Sequence, residues 1–262
     1  MLLQPIICRP RWPLLAAQCH TCRFFTICNK VHQTTIIRHI SHMASSNIAL
    51  RLMPLGGSVT YGVGSSDGNG YRKFLQDMLL ANGFQVRLVG SRKSGLMENN
   101  DNEGWRGYRL DQIATKARNS VATLSPDVFT INAGSNDCLQ DYQLDTFGKR
   151  MGDTLDYLWQ ESPRSTIILS TLLVNANKQV NSRVVRVNSQ IRDLIESKAA
   201  EKKRIVLADM YSTQGPELHD LVDGTHPHDA GYKKMAEIWF NAIQEAQGNQ
   251  PFGKQREIFL RC

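Results

Sequence analysis

The stretch Met53-Pro54-Leu55-Gly56-Gly57-Ser58-Val59-Thr60-Tyr61-Gly62 decides how the rest of the chain is read. An apolar, strand-like run from Ile48 to Leu55 stops at two glycines, and a serine follows at once. A serine at the carboxyl end of a strand, with glycines that allow close approach, suits a nucleophile exposed to a substrate. Glycine–serine pairs also form ordinary turns. The catalytic reading therefore needs a base, an orienting acid and oxyanion donors elsewhere.

Outward from that stretch, strands and helices alternate. After a loop carrying Gly62, Gly64, Gly68 and Gly70, helical spacing of Phe74, Leu75, Met78 and Leu79 predicts a helix over 71–81, ended by Asn82-Gly83. A short strand is expected at 84–89, then a long polar loop over 90–107. Leu110, Ile113, Ala114 and Ala117 mark a second helix. Further strands are expected at 127–131, 165–173 and 205–210, with helices at 147–159, 180–199 and 230–246. Strands separated by crossover helices imply a parallel sheet covered on both faces. Five strands predict an α/β, three-layer, flavodoxin-like sandwich with its site at the carboxyl ends of the strands.

Composition narrows the function. The chain of 262 residues, 41% apolar, can bury one sizeable core. Its formal charge of +7 is mostly local, since Arg9, Arg11, Arg23, Lys30 and Arg38 lie in residues 1–42, which contain no acid. The remainder holds 26 basic against 24 acidic residues, so no nucleic-acid-binding surface is expected on the domain.

Residues 1–46 read as a basic leader that is disordered, targeting or an over-extended reading frame before Met43-Ala44-Ser45-Ser46. The corresponding locations are cytoplasmic if the leader is artefactual, otherwise mitochondrial or, less fittingly, secreted. Residues 47–247 read as the domain and 248–262 as a polar tail. Cys8, Cys19, Cys22 and Cys28 fall in the leader, and only Cys138 and Cys262 follow it. Cys19-x-x-Cys22 lacks a second pair at ligand spacing, so no metal or other cofactor is expected. No stretch approaches the length of a membrane span.

Four segments would meet on one rim of the sheet. They contain Ser58, then Glu103-Gly104-Trp105-Arg106-Gly107-Tyr108-Arg109, then Gly134-Ser135-Asn136-Asp137, then Asp223-Gly224-Thr225-His226-Pro227-His228. A serine nucleophile needs a base and a carboxylate that fixes the useful imidazole tautomer. His219, His226 and His228 are the histidines after residue 42, and His226 has Asp223 three residues earlier with Gly224 between. Asn136 at a strand end and Gly107 in the second loop suit oxyanion donors, with the Ser58 N–H as a third. Trp105, Tyr108 and Arg109 are candidates for substrate contact or for ordinary packing of a long loop.

These residues resemble the four blocks of the SGNH, or GDSL-type, hydrolases, matching at Ser58, Gly107, Asn136 and His226, with Asp223 completing a triad. The resemblance spans about residues 48–246. Met53-Pro54-Leu55-Gly56, Gly70-Tyr71-Arg72, Leu88-Val89-Gly90-Ser91 and Glu103-Gly104-Trp105-Arg106-Gly107 are similar to carbohydrate esterase family 3, the acetyl xylan esterase-like branch. The resemblance implies metal-independent removal of acetyl groups from a sugar or oligosaccharide ester. Gly57 stands where the family usually has aspartate, and Asn102 where that branch often has histidine. The alternatives are a lipid or short-chain acyl esterase of lysophospholipase type, or an inactive binding protein of the same fold. A phosphate-cradling loop is disfavoured because Val63 follows Gly62 where lysine is needed.

Overall fold

The computed structural model describes residues 49–249 and Phe252. The leader expected over 1–46, and the polar tail apart from Gly248, Asn249 and Phe252, lie outside the described residues.

The chain opens with strand β1 (Leu50–Gly56), a single turn of helix α1 (Ser58–Tyr61) and helix α2 (Tyr71–Ala81). Strands β2 (Val86–Leu88), β3 (Arg92–Lys93) and β4 (Asp101–Gly104) follow, then helix α3 (Leu110–Leu124). After β5 (Val128–Asn132) come the short α4 (Ser135–Gln140) and α5 (Phe147–Glu161). The last elements are β6 (Thr166–Ser170), α6 (Lys178–Ala200), β7 (Ile205–Ala208) and α7 (Asp229–Asn249).

The strands β1, β5, β6 and β7 pair in parallel in that order. The other edge of β1 is shared. Its first residues pair with β2, and Leu55 and Gly56 pair with Glu103 and Gly104 of β4. The five expected parallel strands are therefore β1, β2, β5, β6 and β7, but the sheet has seven strands. The segment 90–107, read as a loop, contains β3 and β4 paired with each other antiparallel.

The reason is tertiary. Asp101-Asn102-Glu103-Gly104 has no apolar alternation, and its central side chains are buried as polar groups with partners. The Asn102 amide donates to Ser94 Oγ and the Asn100 carbonyl, and its oxygen accepts the Gly104 N–H. Glu103 accepts from the Ser91 N–H, the Ser91 hydroxyl and the Trp105 indole. Asn102 thus acts behind the rim as a strand-forming residue.

Alternating residues of the sheet build two cores. Met53, Leu55, Phe129, Ile131, Ile167 and Leu169 pack with α3, α5 and α6 on one face. Leu52, Val128, Ile168, Val206 and Ala208 pack with α2 and α7 on the other, where Tyr71 and Trp239 meet at 5.7 Å. Each fully buried leucine or isoleucine contributes about 1.5–3 kcal/mol, so the sheet is fixed from both sides before any loop is considered. Among the described residues no helix is long and apolar enough to cross a membrane.

Every strand except the antiparallel β3 points its carboxyl end at the same rim. Gly56 marks why the chain can turn there: a Cβ at this position would lie 2.1 Å from the Asn132 carbonyl oxygen and 2.4 Å from Thr60 Oγ1. Only glycine lets the ends of β1 and β5 come together while α1 starts beside them.

Candidate active site

Ser58 is the first residue of α1, half-buried at the end of β1. The His226 ring approaches from the loop before α7, with Nε2 2.8 Å from Ser58 Oγ. Its Nδ1 lies 2.7 Å from Asp223 Oδ2. The second Asp223 oxygen accepts the backbone N–H groups of His226 and Thr225 at 2.8 and 3.0 Å. The two carboxylate oxygens are thus committed to different donors. Burial pushes the Asp223 carboxyl up, but the His226 ring and the two N–H groups outweigh it and hold the group below the ordinary carboxylate range.

The loop 221–228 is held both from within and from outside. Val222 donates to the His226 carbonyl, and Ala176 donates to the Gly224 carbonyl at 2.9 Å. The Asn175 amide bonds Thr225 Oγ1 at 3.0 Å. Asn175 and Ala176 follow β6, so a third strand end clamps the pair. Sequence reading did not find them, because an Asn-Ala-Asn segment before a helix looks like a cap alone.

The three residues expected to offer oxyanion donors, Ser58, Gly107 and Asn136, follow β1, β4 and β5. The Ser58 and Gly107 N–H groups have no acceptor among the described residues. Gly107 has a φ of 77°, at the tip of a turn closed by Tyr108 N–H to the Trp105 carbonyl. A Cβ there would meet nothing within 4 Å, so the glycine serves backbone conformation and leaves the mouth open. The Asn136 amide donates one hydrogen to the Tyr108 carbonyl at 3.0 Å, leaving its second for a ligand. Gly57 lies beside it: a Cβ there would sit 3.7 Å from Asn136 Nδ2, in ordinary contact, so nothing steric demands glycine.

Asp137, next to Asn136, was not singled out by sequence yet ties these parts together. It is fully buried, accepts the Leu110 N–H at 2.9 Å at the start of α3 and pairs with Arg150 at 2.9 Å. Burial raises its pKa, partly offset by the Leu110 and Arg150 hydrogen bonds. Arg72, part of the segment Gly70-Tyr71-Arg72, is a second residue whose role only the fold shows. Fully buried, it donates to the carbonyls of Tyr61, Gly68, Ser94 and Asn100. Its place on the buried stripe of α2 with Leu75 and Leu79 was the available signal.

Of the candidate substrate contacts, the Arg109 guanidinium lies 4.1 Å from the Tyr142 ring and bonds Asp111 and Gln140. Trp105 and Tyr108 stack at 5.5 Å and pack partly into the core, with the Trp105 indole N–H spent on Glu103. The Gly62–Gly70 loop is fastened to α7. Ser66 N–H reaches Asp229 and Tyr232 Oη reaches the Val63 carbonyl. His219 and His228 stay outside the site, His228 facing the His219 carbonyl. Among the described residues no group of three His, Cys, Asp or Glu is placed to hold a metal.

The arrangement sets a serine hydroxyl 2.8 Å from one imidazole nitrogen, a carboxylate 2.7 Å from the other, and adds three N–H donors that are not fully used. The model of the GDSL-like Lipase/Acylhydrolase family matches residues 55–234. The chain is 28% identical over 231 residues to a multidomain esterase of Ruminococcus flavefaciens, covering 77% of this chain but only 29% of that protein. A Clostridium thermocellum family 3 carbohydrate esterase superposes with a TM-score of 0.69 at 26% identity, covering 77% of this chain and 99% of that one. A family 3 carbohydrate esterase from Talaromyces cellulolyticus shares the fold at a TM-score of 0.66 and 20% identity, over 76% of this chain and 99% of that one. The chain belongs to the GDSL-like lipase/acylhydrolase family.

Proposed function

We propose that the protein hydrolyses carboxylic esters through Ser58, His226 and Asp223, and that its substrates are acetyl or other short acyl esters of a carbohydrate. The continuous hydrogen-bonded line from Ser58 Oγ through the His226 ring to Asp223, at 2.8 and 2.7 Å, carries the reading. With Nδ1–H bonded to Asp223, His226 Nε2 carries the lone pair that takes the serine proton. Ser58 Oγ attacks the carbonyl carbon, and the oxyanion is met by the N–H groups of Ser58 and Gly107 and by the free Asn136 N–H. His226 returns the proton to the departing alcohol. Water then attacks the acyl-enzyme with the same base, releasing the acid and restoring Ser58.

The carbohydrate preference is supported by the family 3 carbohydrate esterase that covers 77% of the chain at 26% identity. The test has two arms. A fluorophosphonate probe should label the wild type and not Ser58→Ala; a folded wild type that resists labelling would overturn the hydrolase reading. A turnover screen should favour acetylated sugars over acyl esters of rising chain length, and rising activity with chain length would replace the carbohydrate reading by the lipid one. Asn136→Ala should fold normally and lose about a hundredfold in kcat, the usual effect of removing one oxyanion donor.

A further inference from the structure

Positive charge collects on the oxyanion flank of the site. Tyr61 ends the helical turn that Ser58 begins, and Arg106 immediately precedes Gly107. The Arg106 guanidinium lies 5.7 Å from the Tyr61 ring and that of Arg92 5.9 Å from it. The Trp105 ring has Arg92 at 4.6 Å and the Lys116 ammonium at 4.9 Å. Two aromatic rings thus gather three cations from the segment between β4 and α3, from β3 and from α3.

The nearby acids are committed elsewhere. Asp101 pairs with Lys93, and Asp111 with Arg109. Glu103 is fully buried, with its oxygens taken by Ser91 and the Trp105 indole. Among the described residues no carboxylate lies in salt-bridge range of Arg92, Arg106 or Lys116. Lys73, Lys149, Arg150, Arg183, Arg192 and Lys198 have such partners, so what marks this flank is three cations gathered on two rings beside Gly107. Because Arg92 and Lys116 already crowd the Trp105 ring, what this flank offers a substrate is a positive surface as well as an aromatic one. Guanidinium forks bind carboxylate and phosphate oxygens in pairs, and Arg106 is exposed enough to do so.

Resting on the esterase reading above, we propose that this flank selects esters whose alcohol part carries an anionic group, a carboxylate or a phosphate on the sugar. A two-carbon acyl group has no room for that charge, which places it on the alcohol side. Arg106, next to Gly107, makes the direct contact, while Arg92 and Lys116 supply the field around it.

The test compares three monoacetylated sugars in one assay: a methyl glucoside, the matching methyl glucuronoside and the glucoside 6-phosphate. Wild-type kcat/KM should favour at least one charged substrate by about tenfold, as expected of one partly exposed ion pair reinforced by two neighbouring cations, and the gain should lie in KM and shrink in high salt. Preference for the glucuronoside alone assigns a carboxylate, for the phosphate alone a phosphate, and for both a site that reads charge only. In Arg106→Gln and Arg92→Gln the ratio of charged to neutral kcat/KM should fall toward one. A wild-type ratio near one, or a ratio that the two variants leave unchanged, overturns the proposal. Loss of the esterase reading would look different: no turnover of any of the three sugars, and none of 4-nitrophenyl acetate that depends on Ser58.

Discussion

Replacing Asp223 by asparagine should harm the enzyme more than replacing it by alanine. In the structure one carboxylate oxygen accepts two backbone N–H groups, from Thr225 and His226, and the other accepts the His226 Nδ1–H. Asparagine has only one oxygen to share between these positions. If it faces the backbone donors, its NH2 group points at Nδ1, the ring proton moves to Nε2, and Nε2 can no longer take the Ser58 proton. If it faces Nδ1, the NH2 group confronts two N–H donors, each mismatch costing roughly 1–3 kcal/mol.

Asp223 is 53% exposed at its side chain, so water relieves part of that cost and about 2–4 kcal/mol is the reasonable range. The productive tautomer is then populated about 30- to 700-fold less, at about 1.4 kcal/mol per factor of ten. Alanine imposes no wrong tautomer and loses only orientation and a solvent-screened charge, so its kcat should exceed that of the asparagine variant by about tenfold. The measurement is kcat on 4-nitrophenyl acetate across a pH series, with circular dichroism to establish folding. Raising the pH should not rescue Asp223→Asn, because the defect is which ring nitrogen carries the proton. An asparagine variant as active as the alanine variant, or within tenfold of the wild type, would refute the tautomer argument.

Asp137→Ala should cost about 3 kcal/mol in urea unfolding, because it strands the largely buried Arg150 guanidinium and the Leu110 N–H. It should also lower kcat by loosening the Gly107 loop; unchanged stability would remove the anchoring role. Gly56→Ala, with its Cβ 2.1 Å from a backbone oxygen, should destabilise by about 3 kcal/mol or more, and a thermal shift of only a degree or two would contradict the close approach. Asp223 has a lowered folded pKa, so its stabilising contribution is complete above the ordinary value of 3.8 and disappears as pH falls through the folded value. The difference in Tm between wild type and Asp223→Ala should therefore shrink in strong acid; a difference that grows there would reverse the sign of that linkage.

The residues themselves determined the alternation of strand and helix, and with it the parallel sheet and the rim where Ser58, Gly107, Asn136 and the Asp223/His226 loop meet. Such features are local, written in apolar periodicity and glycine placement, so a single sequence carries them. β3 and β4 were illegible because polar residues form them through partners far along the chain. For Arg109 the residues offered two readings, substrate contact or loop packing, and its bonds to Gln140 and Asp111 appear only in the fold. Asp137, Arg72 and Asn175 escaped for the same reason: each acts by a hydrogen bond to a segment that only folding brings near. Local spacing specifies which chemistry is available, whereas the partners that hold or spend each polar group depend on contacts between distant segments, and those exist only in three dimensions.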